Sequence, residues 1–252
     1  MRTRAARFAA AARAGLVTAA LVALVSIGCA PAAPMLLGGR TTPRDRVDLG
    51  LGAAMRVPLA DLEPRAMPEG AEEVLAFAEP GGVAPVALAR WGFVRHGSLG
   101  LSASGSTARI ELIGEARLSP FLRLMYGVAP YGGYAWSNPR QGTGGGEGWR
   151  VGALAPIALT MDGAGIIEGW VGARLGFEHA DGSIGVEMMR SAGHLSAFRG
   201  GVFLGLAAGI RRVHVMIELA ADYEYWVGAL GGMAIERQGV ALTPGVALRI
   251  RL

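Results

Sequence analysis

The sequence predicts an all-β fold, an antiparallel up-and-down transmembrane β-barrel of about ten strands, within a range of eight to twelve. Two observations lead to this prediction. After residue 46, apolar side chains alternate with small or charged ones in one segment after another, which is the period of a strand with one apolar face. The connections between the segments alternate between short and long, which is typical of barrels with turns at one end and loops at the other. Only the third connection departs from this alternation.

The clearest alternation lies at the two ends of the predicted barrel. In residues 239–252, Val246, Leu248 and Ile250 alternate with small or arginine side chains, and residues 47–57 show the same division into two faces. Strands of this length, when tilted, match the span of a bilayer by a barrel wall. An even number of strands lets the first and the last pair antiparallel, which leaves no open sheet edge.

The eight remaining strands are separated by turn and loop signals. Asp162 and Gly163 indicate a tight hairpin, whereas long connections are predicted over 59–82, 138–148, 179–196 and 226–238. The glycine-rich connection lacks the Lys-Ser/Thr pair of a phosphate-binding loop, so we interpret it as a flexible loop. The predicted strands cover residues 83–94, 98–105, 107–118, 120–136, 149–159, 167–178, 197–211 and 213–225.

The C-terminal strand carries a motif with a known counterpart. Thr243, Gly245, Leu248 and Ile250 have the spacing polar, any, Gly, any, any, hydrophobic, any, hydrophobic. This resembles the terminal targeting signal of bacterial outer-membrane β-barrels, although the chain ends in Leu252 where those proteins usually end in an aromatic residue. The resemblance implies the outer membrane of a Gram-negative bacterium. The even number of strands, with short turns at the end where the chain begins, predicts that the N- and C-termini both lie in the periplasm. The resemblance also implies two partners, the outer-membrane lipid and the barrel-assembly machinery.

The N-terminus has the pattern of a signal peptide over residues 1–28. Four arginines occur up to Arg13, and an uncharged run follows as far as Gly28. The next residue, Cys29, is the single cysteine and resembles the lipidated cysteine of bacterial lipoproteins; ordinary cleavage near Ala32 is the alternative. We therefore predict a signal peptide (1–28), an N-terminal linker possibly lipidated at Cys29 (29–45) and a barrel (46–252).

The charge balance excludes a nucleic-acid partner. The isoelectric point near 9.8 and the net charge of +4 are high, but four of the 24 basic residues lie in the predicted signal peptide, which contains no acid. The remainder is neutral, with no electrostatic footprint for nucleic acid. A single cysteine excludes an intrachain disulfide, and four scattered histidines predict neither a metal site nor a cofactor.

The faces opposite the apolar ones carry charges of both signs, which we predict to point into a narrow lumen and to neutralise one another there. A ten-stranded lumen is too narrow for a wide aqueous channel. These features predict a structural, interaction or narrow-transport role and no enzymatic activity. The predicted lumen-facing charges are Asp48, Arg56, Arg109, Glu111, Glu115, Arg117, Glu168, Arg174, Glu178, Glu218 and Asp222.

Two alternatives stay open. Periodicity alone does not say which face of the strands is inside, so the sequence also agrees with a soluble, lipid-anchored periplasmic barrel that binds a small apolar ligand. The second alternative is a hydrolase with its active site at the barrel rim. His96-Gly97-Ser98 is similar to the His-x-Ser pair of outer-membrane lipid A deacylases. A second group is similar to the rim of omptin proteases, where acidic residues and a His-Asp pair could activate a water; it comprises Glu178, His179, Asp181, Asp222 and Glu224.

Aromatic residues cluster where the predicted strands meet the long loops. Such a position is typical of the girdle at a membrane interface. The predicted girdle consists of Trp136, Trp149, Tyr223, Tyr225 and Trp226.

Overall fold

The computed structural model describes residues 34–61, 82–137, 145–163, 165–185, 191–210 and 212–252. In this part of the chain the regular structure is β-strand. The ten strands are β1 (Val47–Asp61), β2 (Gly82–Val94), β3 (Gly97–Ser104), β4 (Thr107–Arg117), β5 (Leu122–Ser137), β6 (Gly145–Gly163), β7 (Ile167–Gly185), β8 (Ser191–Ile210), β9 (Val213–Leu230) and β10 (Met233–Arg251).

The strands form a closed antiparallel barrel in which each strand pairs with its neighbours in the sequence and β1 pairs with β10. Along this seam Asp48 lies opposite Arg251 and Ala54 opposite Gly245. The structure therefore confirms the predicted ten-stranded barrel. Closure gives the backbone groups of the first and last strands a partner, so the sheet has no edge.

The apolar faces of the strands point outward and the charged faces point inward. In β9, for example, Val215 and Ile217 are about half exposed, whereas the side chains between them are buried. This arrangement is opposite to that of the soluble alternative, in which apolar residues would fill the interior. The outward run from Val213 to Tyr223 rises about 25 Å, given roughly 3.3 Å per residue and a 40° tilt.

We call the end of the barrel at which β1 begins and β10 ends the terminal end, and the opposite end the far end. Near the terminal end, Trp91 and Phe93 are outward-facing, with ring centroids 6.2 Å apart. Near the far end, Tyr134, Trp149 and Tyr223 are outward-facing and partly exposed. No helix in the described residues is long and apolar enough to cross a membrane.

Several strands extend further toward the far end than predicted. β6 begins at Gly145 and β7 continues to Gly185, so residues 145–148 of the predicted loop 138–148 and most of the predicted loop 179–196 belong to strands. The predicted long connection over 226–238 is wrong, since β9 continues to Leu230 and β10 begins at Met233. Ladder pairing explains the difference: Trp149 lies opposite Asp181, which in turn lies opposite His194. The predicted connection over 59–82 lies largely outside the described residues.

The predicted aromatic girdle is wrong for one member. Trp226 points into the lumen and is buried, with the Arg199 guanidinium carbon 5.2 Å from its ring centroid. It directly follows Tyr225, and neighbouring residues of a strand face opposite sides of the sheet. The side chain of Trp136 lies outside the described part of the structure.

Candidate functional site: the lumen and its plug

The lumen is packed with charged side chains. Among the described residues, eight arginines and seven carboxylates are buried there, so the two signs nearly balance. Each is at most 8% exposed. The buried arginines are Arg56, Arg90, Arg109, Arg150, Arg174, Arg199, Arg249 and Arg251, and the buried acids are Asp48, Glu111, Glu168, Glu178, Glu218, Asp222 and Glu224.

Ion pairs connect these side chains across strands. Arg251 Nε and Nη2 donate to the two oxygens of Asp48, at 2.9 and 3.1 Å, and so join β10 to β1. Arg174 of β7 makes a similar two-point contact with Asp222 of β9. Removal of one partner would leave a buried charge unpaired, which costs about 3–5 kcal/mol. The ion pairs therefore hold the wall of the barrel in one register.

Arg199 is the centre of a network in the far half of the lumen. Its Nη1 donates to Glu178 Oε2 at 3.0 Å, and its Nε lies 3.0 Å from Glu224 Oε1. Glu224 is also paired with Arg56. The Tyr131 hydroxyl donates to Glu178 Oε2 at 2.6 Å, which brings β5 into the same network.

Residues 34–42 lie inside the barrel, and we call this segment the plug. It enters at the terminal end and runs toward the middle of the lumen. Met35, Leu36 and Leu37 are at most 3% exposed and belong to the same apolar cluster as Trp170 and Met216. These residues belong to the predicted linker over 29–45, and the prediction did not place them inside the barrel.

Carboxylates of the wall bind amide groups of the plug backbone. Glu218 accepts hydrogen bonds from the N–H groups of Met35, at 2.7 Å, and Leu37, at 3.3 Å. The Gly39 N–H donates to Glu168 Oε2 at 2.9 Å, and the Thr41 N–H donates to Glu115 Oε2 at 2.8 Å. Hydrogen bonds to a charged group are stronger than those between neutral groups.

Arginines of the wall bind carbonyl groups of the same segment. Arg90 donates to the carbonyls of Met35, Leu36 and Leu37 at 2.6 to 3.1 Å. Arg109 Nη2 donates to the Pro34 carbonyl at 3.0 Å. Wall side chains thus hold the plug through eight hydrogen bonds to its backbone.

Two glycines make the path of the plug possible. Gly38 has a φ of +81°, a conformation that L side chains rarely adopt. Gly245 of β10 faces the plug, and a Cβ at this position would lie 2.2 Å from Pro34 Cγ. The wall therefore approaches the plug so closely that a side chain at residue 245 would displace it.

A small cavity of about 20 Å³ remains on the far side of the plug, enough for about one water molecule. Arg109, Tyr131, Arg150 and Glu178 are among the residues that line it.

The remaining predicted site residues occupy different places. Arg117 lies at the terminal end of the inward face of β4, beyond Glu115, and is exposed at the rim, where its Nε donates to the Ser119 carbonyl at 3.2 Å. In the C-terminal motif, Thr243 and Gly245 face the lumen and are buried, whereas Leu248 and Ile250 face outward. Cys29 and the predicted signal peptide lie outside the described residues.

The His96-Gly97-Ser98 sequence does not form a base and nucleophile pair within hydrogen-bonding contact in the described structure. His96 is exposed in the turn between β2 and β3, and its Nδ1 lies 3.4 Å from Glu115 Oε1. Ser98 is buried. The two side chains therefore lie in different environments, His96 in the exposed turn and Ser98 in the buried part of β3.

The omptin-like group is divided between the two faces of the wall. Glu178, Asp222 and Glu224 point into the lumen, so the prediction of a single rim site is wrong. His179 and Asp181 point outward, together with Ser196 of β8, which the sequence analysis missed. His179 Nδ1 lies 2.9 Å from Ser196 Oγ, and His179 Nε2 lies 3.3 Å from Asp181 Oδ2.

In the described part of the chain, His, Cys, Asp and Glu form no group of three suited to a metal ion.

No protein-family model and no curated protein sequence matches the chain. Solved structures of similar fold include the outer membrane protease OmpT from Escherichia coli, with a TM-score of 0.49 and 10% identity over 82% of this chain and 96% of that chain. Neisserial surface protein A has a TM-score of 0.34 and 15% identity, covering 81% of this chain and 95% of that chain. Ail, the attachment invasion locus protein of Yersinia pestis, has a TM-score of 0.32 and 10% identity, covering 82% of this chain and 99% of that chain.

Proposed function

We propose that this chain is an outer-membrane β-barrel protein with a narrow-transport role, closed at rest by its own plug. The observation that carries the proposal is the plug itself, a segment bound inside the lumen through its backbone. The bilayer location is supported by the outward apolar belt of about 25 Å, which matches the apolar band of outer-membrane barrels. It is further supported by aromatic residues near both edges of that belt.

The wall around the plug supports transport better than a purely structural role. The side chains that hold the plug, such as Glu218, Glu168 and Arg90, are charged and belong to the wall. When the plug leaves, they would line a polar path instead of an apolar core. Because the surrounding charges are nearly balanced, such a path would suit small polar solutes of either sign.

Conductance in planar bilayers tests this proposal. We expect the full chain to stay closed and a variant that lacks residues 34–42 to give steps of small conductance. Val202→Ala, which removes atoms from the outward face of β8, is the matched control and should stay closed. If the deletion variant keeps the heat-modifiable gel mobility of a barrel but conducts no better than the full chain, the transport role is rejected.

Cell fractionation tests the location independently. The proposal predicts recovery with the outer membrane and extraction by detergent, with both termini in the periplasm. We also propose lipidation at Cys29 and insertion by the barrel-assembly machinery through the C-terminal motif. Recovery as a soluble periplasmic protein would reject the membrane location.

A further inference from the structure

We infer that Ser196, His179 and Asp181 form a serine acyl-hydrolase site on the outside of the barrel, which acts on ester-linked acyl chains of membrane lipids. His179 and Asp181 are two residues apart in β7 and therefore face the same side. Ser196 lies directly opposite His179 in β8. The strand register thus brings the three side chains together.

One tautomer of His179 satisfies both contacts. If the proton is on Nε2, that group donates to Asp181 Oδ2 at 3.3 Å, and Nδ1 is free to accept from the Ser196 hydroxyl at 2.9 Å. The Trp149 ring lies against the imidazole, with centroids 5.8 Å apart and an interplanar angle of 60°. A serine bonded to a base, which is itself oriented by a third group, is the arrangement that activates a hydroxyl nucleophile.

The height of the site on the wall indicates the substrate. Phe177 and Phe198 lie next to it on the terminal side, with ring centroids 5.3 Å apart, and Leu175 below them is strongly exposed. From Ile167 to His179 the outward face of β7 rises about 30 Å, close to the thickness of a hydrocarbon core. His179 and Asp181 are partly exposed. The three polar groups therefore lie at the boundary where acyl chains meet headgroups, the depth of lipid esters.

The reaction that this arrangement supports is ester hydrolysis in two steps. Ser196 Oγ attacks the ester carbonyl carbon and passes its proton to His179 Nδ1. The bond from that carbon to the alcohol oxygen breaks, the alcohol takes the proton from His179, and the acyl group stays on Ser196. Water then attacks the acyl-serine and gives a proton to His179, which returns it to Ser196 as the fatty acid leaves. Asp181 acts as a positioning residue that keeps Nε2 protonated and stabilises the imidazolium.

Lipid esters at this depth come from two sources, glycerophospholipids and acylated glycolipids, and the experiment separates them. The purified full chain is incubated with vesicles of phosphatidylethanolamine and phosphatidylglycerol, and in parallel with lipopolysaccharide in detergent micelles. Released fatty acid is measured by mass spectrometry. Release in either arm identifies the source. Phospholipid whose chains are ether-linked has no acyl ester and should release no fatty acid.

Matched variants test the residues. Ser196→Ala should lower release to the background, a loss of at least about 10²-fold, whereas Ser183→Ala on the outward face of β7 should leave it unchanged. Asp181→Asn should lower kcat with little change in KM. Asp181→Glu, which keeps the carboxylate, should have a kcat between those of Asp181→Asn and the unchanged protein. A fluorophosphonate should attach to Ser196 in the folded protein. Two results would overturn the inference. One is that neither lipid releases fatty acid and no fluorophosphonate attaches to Ser196; the other is that Ser196→Ala does not reduce the release.

The site lies on the outside of the wall, so it goes beyond the proposed function and does not depend on the plug. An acyl-hydrolase site here departs from the prediction, made from the sequence, that the protein has no enzymatic activity. Failure of the conductance test would leave the inference intact, and failure of the hydrolysis test would leave the transport proposal intact.

Discussion

Glu218 is the wall residue whose replacement best tests how firmly the plug is held. Its carboxylate accepts two N–H groups of the plug, from Met35 and Leu37, and the indole N–H of Trp170 at 2.8 Å. Glu218→Gln keeps the size of the side chain but supplies one acceptor oxygen instead of two. At least one buried N–H group then faces an NH₂ group and has no acceptor.

The effect on the plug follows from general magnitudes. A buried donor without a partner costs about 1–3 kcal/mol, and loss of the charge weakens the remaining bond by about 1 kcal/mol. The docked plug should therefore lose about 3 kcal/mol relative to the released state. At about 1.4 kcal/mol per factor of ten, the released fraction rises roughly 10²-fold.

Native-state hydrogen exchange of the plug amides measures this change. In the Glu218→Gln variant we expect the amides of Met35 and Leu37 to exchange about 10²-fold faster. Glu178→Gln is the matched control, since Glu178 is equally buried but contacts Arg199 and Tyr131 instead of the plug. Equal exchange of the plug in the two variants would refute the assignment of Glu218 as an anchor.

Three further predictions concern the plug, the seam and the N-terminus. Gly245→Val should displace the plug through overpacking and speed the hydrogen exchange of the plug amides about tenfold or more. Gly200→Val is the control: its added Cβ would lie 3.6 Å from Leu175, so exchange of the plug amides should stay unchanged. Asp48→Asn should lower the free energy of unfolding by about 3 kcal/mol in a denaturant titration, because it breaks the buried pair with Arg251; an unchanged midpoint would contradict this. Cys29→Ala should abolish labelling by radioactive palmitate, and unchanged labelling would rule out lipidation there.

The barrel could be predicted from the sequence because its signal is local. Alternation such as that of Val215, Ile217 and Leu219 fixes which side chains share a face without knowledge of the neighbouring strand. The far ends of the strands were missed because glycines and polar residues, for example Gly148 and Asp181, have little strand preference of their own. Ladder pairing with the adjacent strands holds them extended.

The contents of the lumen were harder to predict because their contacts are distant in the sequence. Met35 and Glu218 are 183 residues apart, and the plug binds through its backbone, which leaves no side-chain pattern to recognise. The inward charges could be assigned from strand alternation, but a partner such as Asp222 for Arg174 depends on geometry across two strands. Ser196 was missed for the same reason, since it meets His179 through the register of β7 and β8.

A disulfide between the plug and the wall tests the central claim most directly. With Cys29 replaced by Ser, Pro34→Cys and Gly245→Cys are introduced together. Pro34→Cys removes the proline ring that a Cβ at residue 245 would otherwise meet at 2.2 Å, and the two Cβ atoms would lie 3.3 Å apart, slightly below disulfide spacing. Outer-membrane fractions are oxidised mildly, and the bond is detected by mass spectrometry. Pro34→Cys with Val246→Cys, which faces outward, is the control. The account predicts a crosslink with residue 245 and none with residue 246; a folded barrel without the first crosslink would contradict it.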